Sequence, residues 1–273
     1  MVKLGSLICV GSQKAGTRWL ADMIFQHPNV FQPGIKELHF FDKLKDPIVD
    51  SSELRSIKLN SQRIQTFKNK LKKNHINFEK AVARKIIKSG LFDILDYKRI
   101  LNHGNESGKI GVDITPAYGA MPLQNIRYMH DIMKSSKFIY IIRNPLERAI
   151  SGYRHSAETA LKKGNKFDSQ TAIAEAINKS KYSSHIKNYD SVFKSDGNLL
   201  YLSFNYLKSQ PLELLKKVEN FLNLAPFEGY KSFDKPSHVT KKISLDETTL
   251  DIFRNELDVE EKFLENRFGP GFV

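Results

Sequence analysis

The sequence predicts an α/β fold in which helices flank a parallel β-sheet. Short apolar runs recur along the chain and are unbroken rather than alternating, which is typical of strands that are covered on both faces. Segments with helical periodicity separate these runs. Neither an internal repeat nor a Ser/Gly/Pro-rich linker is visible. We therefore expect one domain over residues 1–273, with the basic region 43–100 as a helical insertion.

Four runs are expected to be strands, at residues 7–10, 109–112, 138–142 and 199–204. The helix after the first run should end before Pro28, because a residue that precedes proline disfavours the helical conformation. After the third run, Asn144 and Pro145 have the residue types of a helix N-cap and first helical position. Two more helices are expected, one from Pro211 and one from about Asp246 to 267.

The composition excludes several classes of protein. Hydrophobic residues make up 40% of the chain and charged residues 27%, which indicates a globular protein rather than a disordered one. Cys9 is the only cysteine, so an internal disulfide and a thiolate zinc cluster are excluded, and a reducing compartment such as the cytoplasm is expected. The N-terminal residues hold one short apolar run, which predicts neither a signal peptide nor a membrane anchor.

The net charge of +13 predicts an anionic ligand or partner. Residues 55–88 contain most of this excess. The basic residues there are Arg55, Lys58, Arg63, Lys68, Lys70, Lys72, Lys73, Lys80, Arg84, Lys85 and Lys88, against Glu79 alone. The region is either a solvated helical face or a surface for a polyanion, an acidic glycan or a nucleic acid. Few aromatic residues and no recognisable reading motif disfavour nucleic acid.

A glycine-containing loop at residues 11–17 lies between the first strand and the first helix. Such a loop points successive amides at one anion, and the helix adds the positive end of its dipole. A Walker A loop carries its lysine after the second glycine, whereas here Lys14 lies inside the loop and Thr17 follows Gly16. The sequence lacks the hydroxyl that would bind Mg²⁺ after that lysine. The loop suits sulfuryl transfer, which needs a cation at the bridging oxygen, unless it is only a glycine turn with an exposed lysine.

A second candidate anion site follows the third strand. Arg143 ends that strand, at the edge of the sheet where ligands of α/β folds bind. Ser151 and Arg148 share a face of the next helix, outside its apolar stripe. A guanidinium and a hydroxyl can together hold a phosphate, although either residue alone has an ordinary structural explanation.

Together the two motifs resemble those of sulfotransferases that use 3′-phosphoadenosine 5′-phosphosulfate (PAPS). Residues 14–17 match the 5′-phosphosulfate loop, and residues 143–153 match the 3′-phosphate motif. The resemblance implies a P-loop-like α/β fold, PAPS as donor, PAP as product and no metal. It implies that Lys14 contacts the bridging oxygen and that Arg143 and Ser151 hold the 3′-phosphate. The 5′ end would be held by the loop and helix start, at Ala15, Gly16, Thr17 and Arg18. Trp19 falls where several members stack the adenine, or else packs in the core.

Residues 36–42 resemble the Glu-x-His-Phe-Phe-Asp segment of heparan sulfate sulfotransferases, whose glutamate deprotonates the acceptor. The resemblance implies that Glu37 is the catalytic base and that His39 and Asp42 support it. Residues 115–118, 199–207 and 211–224 extend the resemblance. Ile114 stands where glycan-modifying members often carry a lysine. The Arg-Lys-Gly triplet that closes the cofactor site in cytosolic members is missing, and Lys241 and Lys242 are candidate substitutes for it.

The expected function is therefore transfer of a sulfuryl group from PAPS to a hydroxyl or amine, with a saccharide as the favoured acceptor. The basic insertion would lie on the acceptor side. A lipid or small-metabolite alcohol is the alternative acceptor. Two hypotheses of other classes are a nucleotide kinase or NTPase with an aberrant loop, and a basic nucleic-acid-binding module. We expect no bound nucleic acid and no membrane span.

Overall fold

The computed structural model describes residues 5–45, 55–235 and 244–273. Its strands are β1 (Leu7–Gly11), β2 (Val30–Phe31), β3 (Ser56–Lys58), β4 (Leu91–Asp93), β5 (Ile110–Ile114), β6 (Lys137–Ile142) and β7 (Leu199–Ser203). Five parallel strands form the main sheet, in the order β2-β5-β1-β6-β7, and two antiparallel strands form a separate pair, β3-β4. The predicted α/β class with a parallel sheet is confirmed.

Helices cover this sheet. They are α1 (Thr17–Ile24), α2 (Ser61–Lys72), α3 (Lys80–Ser89), α4 (Ile94–Asn102), α5 (Leu123–Ile132), α6 (Pro145–Lys162), α7 (Ser169–Asn178), α8 (Tyr182–Phe193), α9 (Phe204–Ser209), α10 (Pro211–Leu222) and α11 (Glu247–Phe268). Among residues 5–45, 55–235 and 244–273, no helix combines the length and the apolar character needed to cross a membrane.

Alternate residues of the central strands pack into two different hydrophobic clusters. Ile8 of β1 and Phe138 of β6 belong to a cluster with α3, α4, α5 and α8. Cys9 and Ile139 belong to a second cluster with α1 and α10. Both faces of the sheet are therefore buried, which explains why these strands are continuous apolar runs rather than alternating ones.

The four predicted strands and the predicted helix starts are confirmed. Asn144 accepts a hydrogen bond from the amide of Glu147 at 3.1 Å, and Asp246 accepts one from the amide of Thr249 at 2.7 Å. Strands β2, β3 and β4 were not predicted. They have two or three residues each, which is too short to show a period in the sequence.

The topology brings the two candidate anion sites together. Strands β1 and β6 are neighbours and parallel, so the loops that follow them leave the same edge of the sheet. The loop after β1 leads into α1, and the segment after β6 leads into α6. Motifs that are far apart in the sequence thus lie side by side.

Candidate active site

The loop between β1 and α1 is shaped by backbone contacts and by one required glycine. The Ser12 amide donates to the Ile141 carbonyl at 2.8 Å, which ties the loop to β6. Gly16 has φ +87°, and a Cβ there would lie 3.0 Å from Leu207 and 3.1 Å from Phe204. No side chain caps α1 at this residue. The first amides of α1 therefore have no partner within the helix and can bind an anion.

Lys14 lies in the middle of this loop with φ +72°. Its carbonyl accepts a hydrogen bond from Arg143 Nη1 at 3.0 Å. Burial and the nearby charge of Arg143 lower the pKa of Lys14, while the charge of Glu158 acts in the opposite direction. The loop lysine thus occupies a positive environment that favours a negatively charged ligand.

Arg143 links the second motif to the loop, as the strand order predicts. Besides its bond to the Lys14 carbonyl, it donates from Nε and Nη2 to Glu147 Oε2 at 3.1 and 2.9 Å. Its guanidinium carbon lies 4.7 Å from the centre of the Phe204 ring. Ser151 lies further along α6 and is half-buried. The guanidinium is held at the loop but is paired with Glu147, so an anion that binds there competes with this carboxylate.

Glu37, His39 and Asp42 form a hydrogen-bonded chain. His39 bridges the two carboxylates, with 2.9 Å from Nδ1 to Asp42 Oδ2 and 3.2 Å from Nε2 to Glu37 Oε2. Burial alone would lower the pKa of His39, but the hydrogen bonds and charges of Asp42 and Glu37 raise it from 6.5 to about 9. At neutral pH the ring is therefore an imidazolium that donates from both nitrogens.

The Glu37 carboxylate is ionised at neutral pH. Burial opposes its ionisation, but the hydrogen bond from His39 and the charge of Lys36 outweigh burial and lower its pKa below 4.5. The Lys36 ammonium lies 3.4 Å from Glu37 Oε1, and the Glu37 side chain is 30% exposed. Glu37 thus presents a partly accessible, charged carboxylate that can accept a proton.

The segment that carries Glu37 is anchored by residues that were not predicted as site residues. Buried Asp113 accepts from the Leu38 amide at 3.3 Å and from the Thr115 hydroxyl at 2.6 Å. Arg63 of α2 donates from Nη2 to the carbonyls of Glu37 and Leu38, at 2.7 and 3.1 Å. An acidic residue inside an apolar strand run is the one signal in the sequence that could have identified Asp113. Nothing local in the sequence links Arg63 to Glu37.

The three residues that were predicted to be catalytic share an unusual backbone conformation. Lys14, Glu37 and His39 have φ of +72°, +51° and +52°. A left-handed conformation costs an L-residue about 1–2 kcal/mol, and it persists only where the surroundings enforce it. Such strain clusters at functional sites, and here it coincides with the residues that the motifs identify.

The other predicted donor-site residues lie in or next to the loop. Ala15 is fully buried, and Thr17 is the first residue of α1. The exposed side chain of Arg18 pairs with Asp22 at 3.0 Å, which leaves its backbone amide as the group that could bind an anion. Trp19 is only 5% exposed, and its Nε1 donates to the Phe233 carbonyl at 2.9 Å. The Trp19 ring is therefore packed in the core, which is the alternative to adenine stacking that the sequence predicts for it.

Arg148 differs from the sequence expectation. Its spacing from Ser151 placed it on a polar face of the helix, but it is 1% exposed because α7 packs against that face. It donates from Nε to Ser180 Oγ at 2.8 Å and from Nη2 to the Ala176 carbonyl at 3.1 Å. Lys241 and Lys242, the predicted closing residues, lie outside the described residues.

His39 makes stability depend on pH, because its pKa is higher in the folded protein than its ordinary value of 6.5. The contribution of protonated His39 to the free energy of unfolding is fully present below pH 6.5 and is lost as the pH rises through about 9. We expect the wild-type Tm to fall over this interval by more than the Tm of His39→Gln does. Thermal unfolding at several pH values checks this, and parallel curves for the two proteins would contradict it.

Within the described residues, no three His, Cys, Asp or Glu side chains are grouped so as to hold a metal ion.

The chain matches a protein-family model. The model described as "Sulfotransferase domain" matches residues 122–261, just over half of the chain. The matched segment includes Arg143 and Ser151 but not the loop at 11–17. Comparison with curated proteins found no match.

Solved sulfotransferase structures are similar to this chain over nearly its whole length. A sulfotransferase from Alicyclobacillus acidocaldarius is 18% identical, with a TM-score of 0.55 over 94% of this chain and 96% of that one. A sulfotransferase domain from the curacin biosynthetic pathway is 18% identical, with a TM-score of 0.59 over 96% of both chains. The sulfotransferase domain of the Synechococcus PCC 7002 olefin synthase is 14% identical, with a TM-score of 0.58 over 95% of this chain and 94% of that one. Because the sequence identities are below 25%, these similarities show a shared fold only.

Proposed function

Since the chain belongs to the family of PAPS-dependent sulfotransferases, we propose that it transfers the sulfuryl group of PAPS to a hydroxyl or amine of a saccharide, with Glu37 as general base. A lipid or small-metabolite alcohol is the alternative acceptor. The other two hypotheses from the sequence, a kinase or NTPase and a nucleic-acid-binding module, do not fit this family. A cytoplasmic location is also part of the proposal and is based on the single cysteine.

The hydrogen bond between Arg143 and the Lys14 carbonyl is the observation that best supports this proposal. It brings the loop at 11–17 and the Arg143 motif next to each other, which supports binding of one nucleotide with phosphates at both its 3′ and 5′ positions. The uncapped start of α1 and the glycine at position 16 fit a 5′-phosphosulfate. The residues present therefore fit the donor.

Each residue has a separate task in this proposal. PAPS supplies a sulfuryl group on a phosphate leaving group. The Lys14 ammonium stabilises the charge that develops on the bridging oxygen, and the amides at 15–18 hold the 5′ end. Arg143 and Ser151 hold the 3′-phosphate, for which Arg143 exchanges its pairing with Glu147.

Glu37 accepts the proton of the acceptor. As the acceptor oxygen or nitrogen forms its bond to sulfur and the bond to the phosphate oxygen breaks, a Glu37 carboxylate oxygen takes the proton. His39 holds this carboxylate in place and keeps it ionised through its hydrogen bond and charge. Asp42 on the other side of the ring orients His39. His39 thus acts on the acceptor only through Glu37.

A saccharide acceptor is favoured by the Glu37 segment and by the basic surface near it. Most basic side chains of residues 55–88 are exposed on β3, α2 and α3 or at the C-cap of α2, namely Lys58, Lys68, Lys72, Lys73, Lys80, Arg84, Lys85 and Lys88. Arg63 of α2 contacts the Glu37 carbonyl directly, so this surface continues to the proposed base. Such a surface suits an acidic glycan.

The proposal is tested by incubating the protein with ³⁵S-labelled PAPS and a panel of saccharides, phenols and lipid alcohols in the presence of EDTA. We expect labelled product, with saccharides labelled fastest, because no proposed step uses a metal. Complete loss of transfer in EDTA would contradict the mechanism. Faster labelling of phenols or lipid alcohols would overturn the saccharide assignment but not the donor assignment.

Arg143→Ala is expected to weaken PAP binding by about 10–100-fold, because it removes a charge-assisted hydrogen bond to the 3′-phosphate. Titration calorimetry with PAP measures this directly. The matched control is Arg254→Ala, which removes an exposed arginine that pairs with Glu247 and Asp251 on α11. Equal PAP affinity in the two variants would remove Arg143 from the donor site.

A further inference from the structure

A cavity of about 350 Å³ lies beside the loop and shares only Lys14 with the proposed donor-site residues. Gln13 and Lys14 form its wall on the loop side, and one face of α6 with part of α7 forms the rest. Its volume is in the range of small-molecule sites. Because Lys14 lines it, the cavity adjoins the place where the proposed function locates the transferred sulfuryl group.

A buried cation with an unused donor forms part of this wall. Arg148 lines the cavity and is 1% exposed. Its Nε and Nη2 donate to Ser180 Oγ and the Ala176 carbonyl, whereas Nη1 is buried and has no hydrogen-bond partner among the described residues. Both of these acceptors are neutral. A guanidinium in this environment stays charged. A buried charge without a counter-ion, and a buried nitrogen without a hydrogen bond, are both unfavourable. An anionic ligand would relieve both costs.

Gly152, one turn further along α6, makes room for this guanidinium. A Cβ at this position would lie 2.7 Å from Arg148 Nη2. A helix with glycine at an interior position is less stable than one with alanine there, so Gly152 destabilises α6 locally. The helix therefore gives up some stability at the point where the charged group reaches the cavity wall.

The charged residues around the cavity are mostly cationic. Within the part of the chain that the structure describes, its charged lining residues are Lys14, Arg148, Lys163, Lys166 and Lys179, against Glu175 alone. Glu175 pairs with Lys179 at 2.9 Å. Glu158, whose charge also reaches Lys14, pairs with Lys162 at 2.8 Å. The two carboxylates are thus each matched by a lysine, and the cavity keeps a positive potential.

We propose that this cavity holds an oxyanion of the acceptor, so that the part of the acceptor that enters it is a monosaccharide-sized alcohol or amine that carries a carboxylate, phosphate or sulfate. The inference rests on the proposed function, because that function places the transferred group at Lys14. The anion contacts Arg148 and the lysines at the rim, while the hydroxyl or amine to be sulfated extends past Lys14. A neutral acceptor of the same size leaves Arg148 unsatisfied and binds more weakly.

The test is calorimetric titration with matched sugars, in the presence and in the absence of PAP. The probes are methyl β-glucoside, methyl β-glucuronide, glucose 6-phosphate and glucose 6-sulfate, and their order of affinity distinguishes the three oxyanions. We expect at least one anionic sugar to bind about tenfold or more tightly than the neutral glucoside, as one charge-assisted contact implies. Equal affinity of the glucoside and all three anionic sugars would overturn the inference.

Three variants assign this preference to the cavity. Gly152→Ala, which displaces the Arg148 guanidinium in a helix that alanine favours, and the double variant Lys163→Gln/Lys166→Gln should each reduce the preference severalfold. The matched control is Lys216→Gln/Lys217→Gln, which removes two exposed lysines from α10 and should leave the preference unchanged. An equal loss in the control and in the cavity variants would show a general effect of net charge and would overturn the inference.

PAP binding in the same titrations separates this inference from the proposed function. Binding of PAP without any preference for anionic sugars overturns only the assignment of the cavity. Failure to bind PAP overturns the proposed donor site, and the titrations without PAP then still decide whether the cavity selects anions.

Discussion

Replacing Lys14 by alanine is expected to lower kcat by about 10²–10⁴-fold, because the variant lacks the cation that stabilises charge on the bridging oxygen. The Lys14 carbonyl, which binds Arg143, is a backbone group and remains in the variant. We therefore expect the Kd for PAP to change much less than kcat. Steady-state rates with labelled PAPS, together with calorimetry, measure the two effects separately.

Two comparisons make the Lys14 result specific. Lys14→Arg restores a cation and should recover part of the lost activity. Lys217→Ala, which removes an exposed lysine on α10, should have near-normal turnover. If Lys14→Ala itself turned over at a near-normal rate, Lys14 would have no catalytic role.

Replacing Glu37 by glutamine is expected to lower kcat by a similar factor, about 10²–10⁴-fold, because the amide cannot accept the proton of the acceptor. Glutamine keeps the shape of the side chain and can still contact His39, so the segment should remain in place. PAP affinity should therefore be unchanged. The measurement is transfer of label to the best acceptor of the panel, alongside calorimetry with PAP.

The matched control for this substitution is Glu79→Gln. Glu79 is exposed at the start of α3, in the same region of the chain but without a contact to His39. Its variant should keep wild-type turnover. Near-normal turnover in Glu37→Gln would show that another group, or solvent, accepts the proton.

The sequence predicts the parts of this molecule that depend on burial and on sheet topology. Strands β1 and β6 are predictable because both their faces are covered, which leaves a continuous apolar run. The contact between Arg143 and the Lys14 carbonyl follows from two neighbouring parallel strands, although the residues are distant in the chain. The caps Asn144 and Asp246 are local signals, and the structure confirms both.

The sequence does not predict interactions that depend on which elements pack together. The spacing predicts that Arg148 belongs to a polar face of its helix, but α7 covers that face and buries the guanidinium. Arg63 belongs to a stretch that the sequence describes only as basic, yet its guanidinium holds the carbonyls of Glu37 and Leu38. In both cases the partner groups are backbone carbonyls or small side chains, which leave no pattern in the sequence.

The positive φ values of Lys14, Glu37 and His39 were also not predictable. None of the three is a glycine, the residue type that usually signals this conformation. They are set by surrounding contacts, such as the bonds of Asp113 and Arg63 to the residues around Glu37. The motifs predict that these three residues are catalytic, and the structure adds that all three have a strained backbone conformation.

The proposed donor site requires that the loop at 11–17 and the Arg143 motif bind opposite ends of one nucleotide. A crystal structure of the complex with PAP tests it most directly. We expect the 5′-phosphate to lie at Lys14 and the amides at 15–18, and the 3′-phosphate to lie within hydrogen-bond distance of Arg143 and Ser151. A nucleotide bound elsewhere, or one whose 3′-phosphate does not approach Arg143, would contradict it.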